Sequence, residues 1–408
     1  MVSKLKNWFF GGELWQRNLR ILWFGAFMTG IGASIVSPFL SLFIDSLGNF
    51  THKELSFDSG IIFASTYLMT AIVSPFWGKL ADQKGRKPML IRASLGMAIT
   101  IFLMAFVTSI WQLLVLRMLL GAFSGFTSNS IALMAIITPK EKSGQVLGTL
   151  STGTVAGTLL GPIVGGMIVA HTSYRAAFAL TGSIMFLVFL LTVFFVKEKF
   201  EPKKKTDILP ARDMLKKITS PNIVIGMLFT TMILQLTDKS ISPILSLYVR
   251  ELVSNSQMVT IFSGIVASAP GLVMIFVAPL FGRLGDKIGQ YKILFIGISV
   301  SLIIYLLLGF TTNIWQVIIL RLFIGVSDAA LAPSVQIILS RNTPIEATGR
   351  IFSYNQTMQS IGAVIGPLAG SAIAASFDYR MVFFFAVICI IFNLINYGTN
   401  FKHLKIQN

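Results

Sequence analysis

The sequence is poor in charge, in cysteine and in histidine. Asp, Glu, Lys and Arg make up 12% of its 408 residues, against roughly 25% in soluble domains. A water-soluble fold of this length needs far more polar surface, so that class is excluded. Cys389 is the only cysteine, which rules out both a disulfide framework and a thiolate metal site. The three histidines, His52, His171 and His403, are scattered along the chain, and no GxxxxGK[ST] loop is present. Neither a zinc centre nor bound ATP has residues to hold it, nothing supports catalysis, and no cofactor is expected. Acidic residues number 16 against 33 basic ones.

What the chain has is long apolar runs, with 54% of its residues hydrophobic. In hydrocarbon each backbone N–H and C=O must be paired within its own segment, so such runs become helices. Twelve are long enough to span a bilayer: 18–44, 59–80, 89–108, 111–135, 145–171, 176–196, 222–249, 258–281, 292–311, 314–338, 350–376 and 379–399. The fold class read from this pattern is an all-α integral membrane protein of two six-helix bundles. Met1–Gly12 carries Lys4 and Lys6 but no small-residue cleavage pattern, so no removable signal peptide is expected.

A net charge of +17 taken alone suggests nucleic acid, but its placement says otherwise. Alternate connections and the span ends beside them, both termini among them, hold 26 of the 33 Lys and Arg residues, while the opposite set holds four: Lys53, Arg175, Arg250 and Arg380. The remaining three, Arg117, Lys239 and Arg321, fall well inside spans. Positive charge marks the cytoplasmic side. The reading is a multi-pass protein of the cell membrane with both termini in the cytoplasm, in contact with membrane lipids and binding no nucleic acid. It is expected to work as a monomer.

The two halves repeat. Thr108-Ser-Ile-Trp-Gln-Leu-Leu-Val-Leu-Arg117-Met-Leu-Leu-Gly121 returns 204 residues later as Thr312-Asn-Ile-Trp-Gln-Val-Ile-Ile-Leu-Arg321-Leu-Phe-Ile-Gly325. Gly78-x-Leu-x-Asp82-x-x-Gly85 matches Gly282-x-Leu-x-Asp286-x-x-Gly289 at the same offset. At an offset of 205, Ser37-Pro38 matches Ser242-Pro243, Gly161-Pro162 matches Gly366-Pro367, and Tyr174-Arg175 matches Tyr379-Arg380. The offset covers six spans, so both copies share one membrane orientation. The domains expected are a bundle over 1–196, a cytoplasmic linker over 197–221 and a bundle over 222–408. A parallel repeat of this kind places a substrate site between the halves near the bilayer midplane, exposed to each side in turn.

Three motifs carry chemistry. In Gly78-Lys-Leu-Ala-Asp82-Gln-Lys-Gly85-Arg86-Lys-Pro88, Gly85 allows a tight turn between two spans and Asp82 sits among cations near helix ends. Arg117 lies well inside the fourth span, where a charge costs ~2.5–3.5 kcal/mol on insertion scales and must face the interior or find a partner. The fifth span holds Gly148, Gly157, Gly161, Pro162, Gly165 and Gly166, a stripe with little side chain that lets a neighbouring helix pack closely.

These motifs resemble, over roughly 18–400, those of the major facilitator superfamily. Within it the fifth-span string resembles the antiporter motif of the twelve-helix drug:proton branch, most like the multidrug efflux proteins of Gram-positive bacteria. The resemblance implies a gating role for Gly78, Asp82, Gly85, Arg86 and Asp286, and a link to proton transfer for Arg117. It also implies antiport geometry set by the six fifth-span residues. The family usually has a basic residue after the loop Asp, whereas here it is Gln83.

Other candidates come from burial cost. Asp238 and Lys239 sit near the middle of the seventh span, and Asp328 lies seven residues after Arg321 in the tenth. Seven residues are two helical turns, so Arg321 and Asp328 share a face about 10 Å apart. Intramembrane ionisable groups are functional candidates by default, and a carboxylate in a low-dielectric cavity binds and releases a proton nearer neutrality. Arg117, Asp238, Asp328 and Arg321 are therefore the proton-coupling candidates. Tyr67, Asn129, Gln235, Gln336, Asn355 and Gln359 are polar residues placed to line a substrate cavity. The 34 Phe residues are first of all lipid-facing and core filler, and the sequence singles none of them out as an aromatic wall for lipophilic cations. The reading is a secondary active transporter, not an enzyme, that exports lipophilic small molecules in exchange for protons by alternating access. Two alternatives are a lipid or glycolipid flippase on the same scaffold and, from another class, a passive channel or non-transporting sensor.

Overall fold

The computed structural model describes residues 13–139, 142–198 and 220–402. Residues 199–219, most of the expected linker, and Met1–Gly12 lie outside the described residues. Among the described residues all regular structure is helical. In chain order the helices are α1 (Leu14–Ile35), α2 (Leu40–Asp45), α3 (His52–Lys84), α4 (Arg86–Met104), α5 (Ile110–Phe123), α6 (Phe126–Ile137), α7 (Ser143–His171), α8 (Tyr174–Phe195), α9 (Pro221–Ile241), α10 (Leu245–Leu252), α11 (Ser256–Ile288), α12 (Gln290–Leu308), α13 (Ile314–Arg341), α14 (Ile345–Ser376) and α15 (Tyr379–Lys402).

Among the described residues eleven spans are long and apolar enough to cross a membrane, with α1–α2 and α5–α6 each counting as one. The twelfth expected span is present as α9 followed by α10; it is interrupted and carries Gln235, Asp238 and Lys239, which lower its hydropathy. The interruption follows from the repeated Ser-Pro. Pro has no N–H to continue a helix's hydrogen-bond ladder. So α1 ends at Ile35, ahead of a 3-10 turn at Ser37–Phe39, and α9 ends at Ile241 before Pro243.

Two positive-φ glycines serve the loops as expected. Gly85 (φ 92°) separates α3 from α4, and Gly289 (φ 95°) does the same between α11 and α12. A third, Gly125 (φ 114°), divides the expected fourth span into α5 and α6, which the apolar run over 111–135 gave no sign of.

The chain forms two compact units. One comprises Met1–Phe39 with Leu68–Thr206, the other Leu40–Tyr67 with Asp207–Asn408. The split between them along the chain falls inside the 197–221 segment, while 40–67 clusters with the second unit rather than with the first-half residues around it. In the first unit α1 packs along α7, and α4 along α8; in the second, α9 packs along α14, and α11 along α13. Lipid tails are as apolar as the helices, so these contacts depend on close packing more than on hydrophobic burial. Glycines supply it. A Cβ on Gly153 would stand 2.8 Å from Trp23 O, and those on Gly157, Gly161 and Gly165 would collide with Phe27 O, Ser34 Oγ and Ile35 O of α1. In the second unit Gly362, Gly366 and Gly370 meet Met232 O, Leu236 O and Ser240 O of α9 in the same way. The four-residue period keeps each glycine on one helix face.

Candidate functional site

The residues singled out in the sequence fall into three places. The first is the turn after α3. Arg86 Nη2, at the start of α4, donates to Asp82 Oδ1, near the end of α3, at 2.5 Å across the Gly85 turn, and Asp82 is largely exposed. An exposed pair of this kind contributes only ~0.2–1 kcal/mol, so its significance is positional. The N-terminus of α4 is held by a residue that sequence reasoning missed: the Glu198 carboxylate accepts the backbone N–H groups of Arg86 (2.8 Å) and Lys87 (2.6 Å). Those amides have no helical acceptor, and the helix dipole favours an anion there. In the second unit Asp286 lies 3.8 Å from Arg341. A Cβ on Gly78 would meet nothing within 4 Å.

The second place is the contact of α7 with α1. Gly157, Gly161 and Gly165 form it together with Gly153, which the motif did not include, while Gly148 has nothing near its missing side chain. Pro162 and Gly166 are buried within α7. Arg117 stands in α5, half-buried.

The third place is a cavity of about 240 Å³ inside the second unit. Helix α9 contributes Thr231, Leu234, Gln235 and Asp238, α11 contributes Met274, α13 contributes Asp328, Leu331, Ala332, Val335 and Gln336, and α14 contributes Gln359. The structure thus brings together five sequence-predicted residues: Gln235, Asp238, Asp328, Gln336 and Gln359. Lys239 Nζ lies 2.8 Å from Asp238 Oδ2 and 6.0 Å from the Tyr67 ring centroid, so the Asp238 charge is already answered by its chain neighbour.

The other expected members sit elsewhere. Asn355 is buried behind the wall, where its Oδ1 accepts a hydrogen bond from the lining residue Thr231 at 2.7 Å. Asn129 bonds back to Gly125 O at 2.8 Å in the first unit. Tyr67 faces Lys239 rather than the cavity itself. None of the eleven lining residues is aromatic. Arg321 is buried, and its Nε donates to Val266 O of α11 at 3.2 Å; this fixes α13 against α11, with Asp328 two turns further on opening into the cavity.

Chemically, the cavity offers two carboxylates, one of them paired, three side-chain amides and a hydroxyl among aliphatic groups. That set hydrogen-bonds a polar group and holds or releases a proton, with apolar surface alongside. Many apolar spans in a duplicated bundle, with ionisable groups opening into an internal cavity, define a multi-pass membrane transporter. The chain belongs to the Major Facilitator Superfamily, whose family model matches residues 22–259 and 227–399.

It is 46% identical over 381 residues to the Multidrug resistance protein MdtG of Salmonella heidelberg (strain SL476), covering 93% of this chain and 94% of that protein. The same figures hold for the MdtG of Salmonella arizonae. These relatives are Salmonella proteins, whereas the motif likeness pointed to Gram-positive bacteria. Among solved structures, a bacterial homolog of the human lysosomal transporter Spinster superposes with a TM-score of 0.78 at 13% identity, over 96% of this chain and 98% of that one. The human organic anion transporter MFSD10 does so with a TM-score of 0.70 at 14% identity, over 95% and 100%. At that identity the likeness concerns the fold.

Proposed function

We propose that this transporter is a multidrug exporter of the cell membrane that moves lipophilic, amphiphilic small molecules outward in exchange for protons. The observation that carries this reading is the pair of carboxylates at one cavity in unequal circumstances: Asp238 is held by Lys239 at 2.8 Å, while Asp328 opens into the same cavity without sharing that lysine's hydrogen bond. An antiporter needs a group that carries a proton when substrate is absent and gives it up when substrate arrives. Asp328 suits that role, with Gln235, Gln336 and Gln359 contacting the substrate. The name of the MdtG relatives supports drugs as the substrate class.

In this reading Asp82, Arg86 and Asp286 act at the cytoplasmic ends as gating groups, Arg117 and Arg321 set the field for proton movement, and the glycine contact of α7 with α1 supplies the antiport geometry. Both termini face the cytoplasm in this reading, which the placement of Lys and Arg supports. The chain acts as a monomer surrounded by lipid. The test is ethidium efflux from proteoliposomes carrying an imposed proton gradient. Efflux should follow the gradient and stop when a protonophore collapses it; efflux that is indifferent to the gradient would rule out exchange, as a passive channel requires.

A further inference from the structure

The division of the fourth span into α5 and α6 is unusual for backbone at membrane depth, because each lost helical hydrogen bond must be replaced. Here Ser124 of the same span bonds back to Gly121 O through its backbone N–H (3.3 Å) and its Oγ (2.8 Å), and neighbouring spans supply further donors. Thr70 Oγ1 donates to Gly121 O at 3.1 Å. Trp77 Nε1 donates to Ala122 O at 2.8 Å. Arg92 donates from Nη1 to Ala122 O (3.2 Å) and from Nη2 to Ser124 O (3.1 Å), with its guanidinium 3.9 Å above the Trp77 ring. Ser124 is extended and Gly125 left-handed, with φ of 114°.

The internal repeat supplies a control within the same chain. At the offset of 204, Thr70, Trp77 and Arg92 correspond to Met274, Phe281 and Ile296, and Ser124-Gly125 to Asp328-Ala329. All three donors are lost in the second copy, and there the span runs unbroken as α13 from Ile314 to Arg341. The break and its donors are thus both present in one half and both absent from the other.

We infer that Ser124–Gly125 is a hinge in the first unit, latched by Arg92, Trp77 and Thr70, on which α6 swings independently of α5. Two short half-helices joined by an extended residue and a left-handed glycine change angle by rotation about few bonds. The latch donors sit on α3 and α4, so the hinge angle is tied to those helices. Under the orientation proposed above, α6 is the cytoplasmic half of its span, and its movement opens or closes that side of the first unit. The second unit has no counterpart, since α13 moves as one rod with Asp328 at its cavity.

The test is the distance between spin labels at Ile136→Cys on α6 and Phe194→Cys on α8, in full-length Cys389→Ser protein in lipid nanodiscs. A control pair, Trp111→Cys and Leu180→Cys, reports on α5 and α8; all four label positions are exposed. On moving from alkaline to acidic buffer, or on adding ethidium, the 136–194 distribution should shift by several ångströms while the 111–180 distribution stays fixed. Arg92→Leu should broaden the 136–194 distribution in resting protein, and added guanidinium should narrow it again. Trp77→Phe removes a single donor and should broaden it less; it serves as the test if the Arg92 variant fails to fold. The inference is overturned if the two pairs shift alike or neither shifts, or if both variants give the wild-type distribution.

Discussion

Lys239 and Asp238 form an ion pair at 2.8 Å between adjacent residues of α9, on the wall of the cavity into which Asp328 of α13 also opens. Neighbours in sequence hold each other at little entropic cost, so the Asp238 charge stays compensated whatever enters the cavity. Removing the lysine should expose that charge. With Lys239→Gln, Asp238 becomes a second protonatable carboxylate, and the pH dependence of ethidium transport should broaden or move to higher pH. An unchanged pH profile would mean that the pair has no part in setting it.

The packing of α7 on α1 predicts a position-dependent tolerance. Gly157→Val places branched atoms against Phe27 O and Ile31 N, where even one Cβ does not fit, and overpacking of this kind costs about 1–3 kcal/mol. Gly148→Val meets open space and should change stability by less than about 0.5 kcal/mol. Thermal unfolding in detergent should separate the two variants clearly, although both glycines belong to the same sequence motif.

Glu198 is predicted to contribute as a helix cap. Glu198→Ala leaves the Arg86 and Lys87 amides without their carboxylate, a change that typically costs about 0.5–2 kcal/mol. Glu198→Gln keeps one acceptor oxygen and should recover part of the loss. The same unfolding assay reads both, and hydrogen exchange at the first turn of α4 should rise in step.

In the second unit Arg250 Nη1 donates to Asp45 Oδ2 at 2.5 Å, Ser41 Oγ to Pro243 O at 2.6 Å, and His52 Nε2 lies 2.9 Å from Ala374 O. These bonds tie residues 40–67 to α9, α10 and α14. If alternating access moves the sequence halves 1–196 and 222–408 apart, those bonds part in each cycle, although 40–67 clusters with the second unit. Cross-linking Asp45→Cys to Arg250→Cys with a short bis-methanethiosulfonate should therefore stop ethidium transport, and reductant should restore it. Full transport with the link in place would exclude separation there.

Much of the fold was legible because a bilayer leaves few choices. Apolar runs become helices, and the glycine stripe of the fifth span marks a close helix contact. The helix ends at Ser37-Pro38 and Ser242-Pro243, by contrast, fall within 18–44 and 222–249, which read as unbroken spans. The break at Ser124–Gly125 was not legible, because no proline marks it and its supporting donors, Thr70, Trp77 and Arg92, lie far away in sequence. A comparison of the two halves at those positions carries the signal, since Met274, Phe281 and Ile296 replace all three. Glu198 was hidden for a similar reason: an acid in a basic segment gives no hint of which helix end it meets. Asn355 and Gln359 lie one turn apart, yet only Gln359 reaches the cavity. Asn355 is turned toward Thr231, and that choice of face depends on the helix opposite.

The most direct test of the account is substrate-triggered proton release in inverted vesicles, comparing wild type, Asp328→Asn and Asp238→Asn. Proton release on adding ethidium should fall to background in Asp328→Asn and persist in Asp238→Asn. Release that survives intact in Asp328→Asn would contradict the assignment of the coupling proton to that carboxylate.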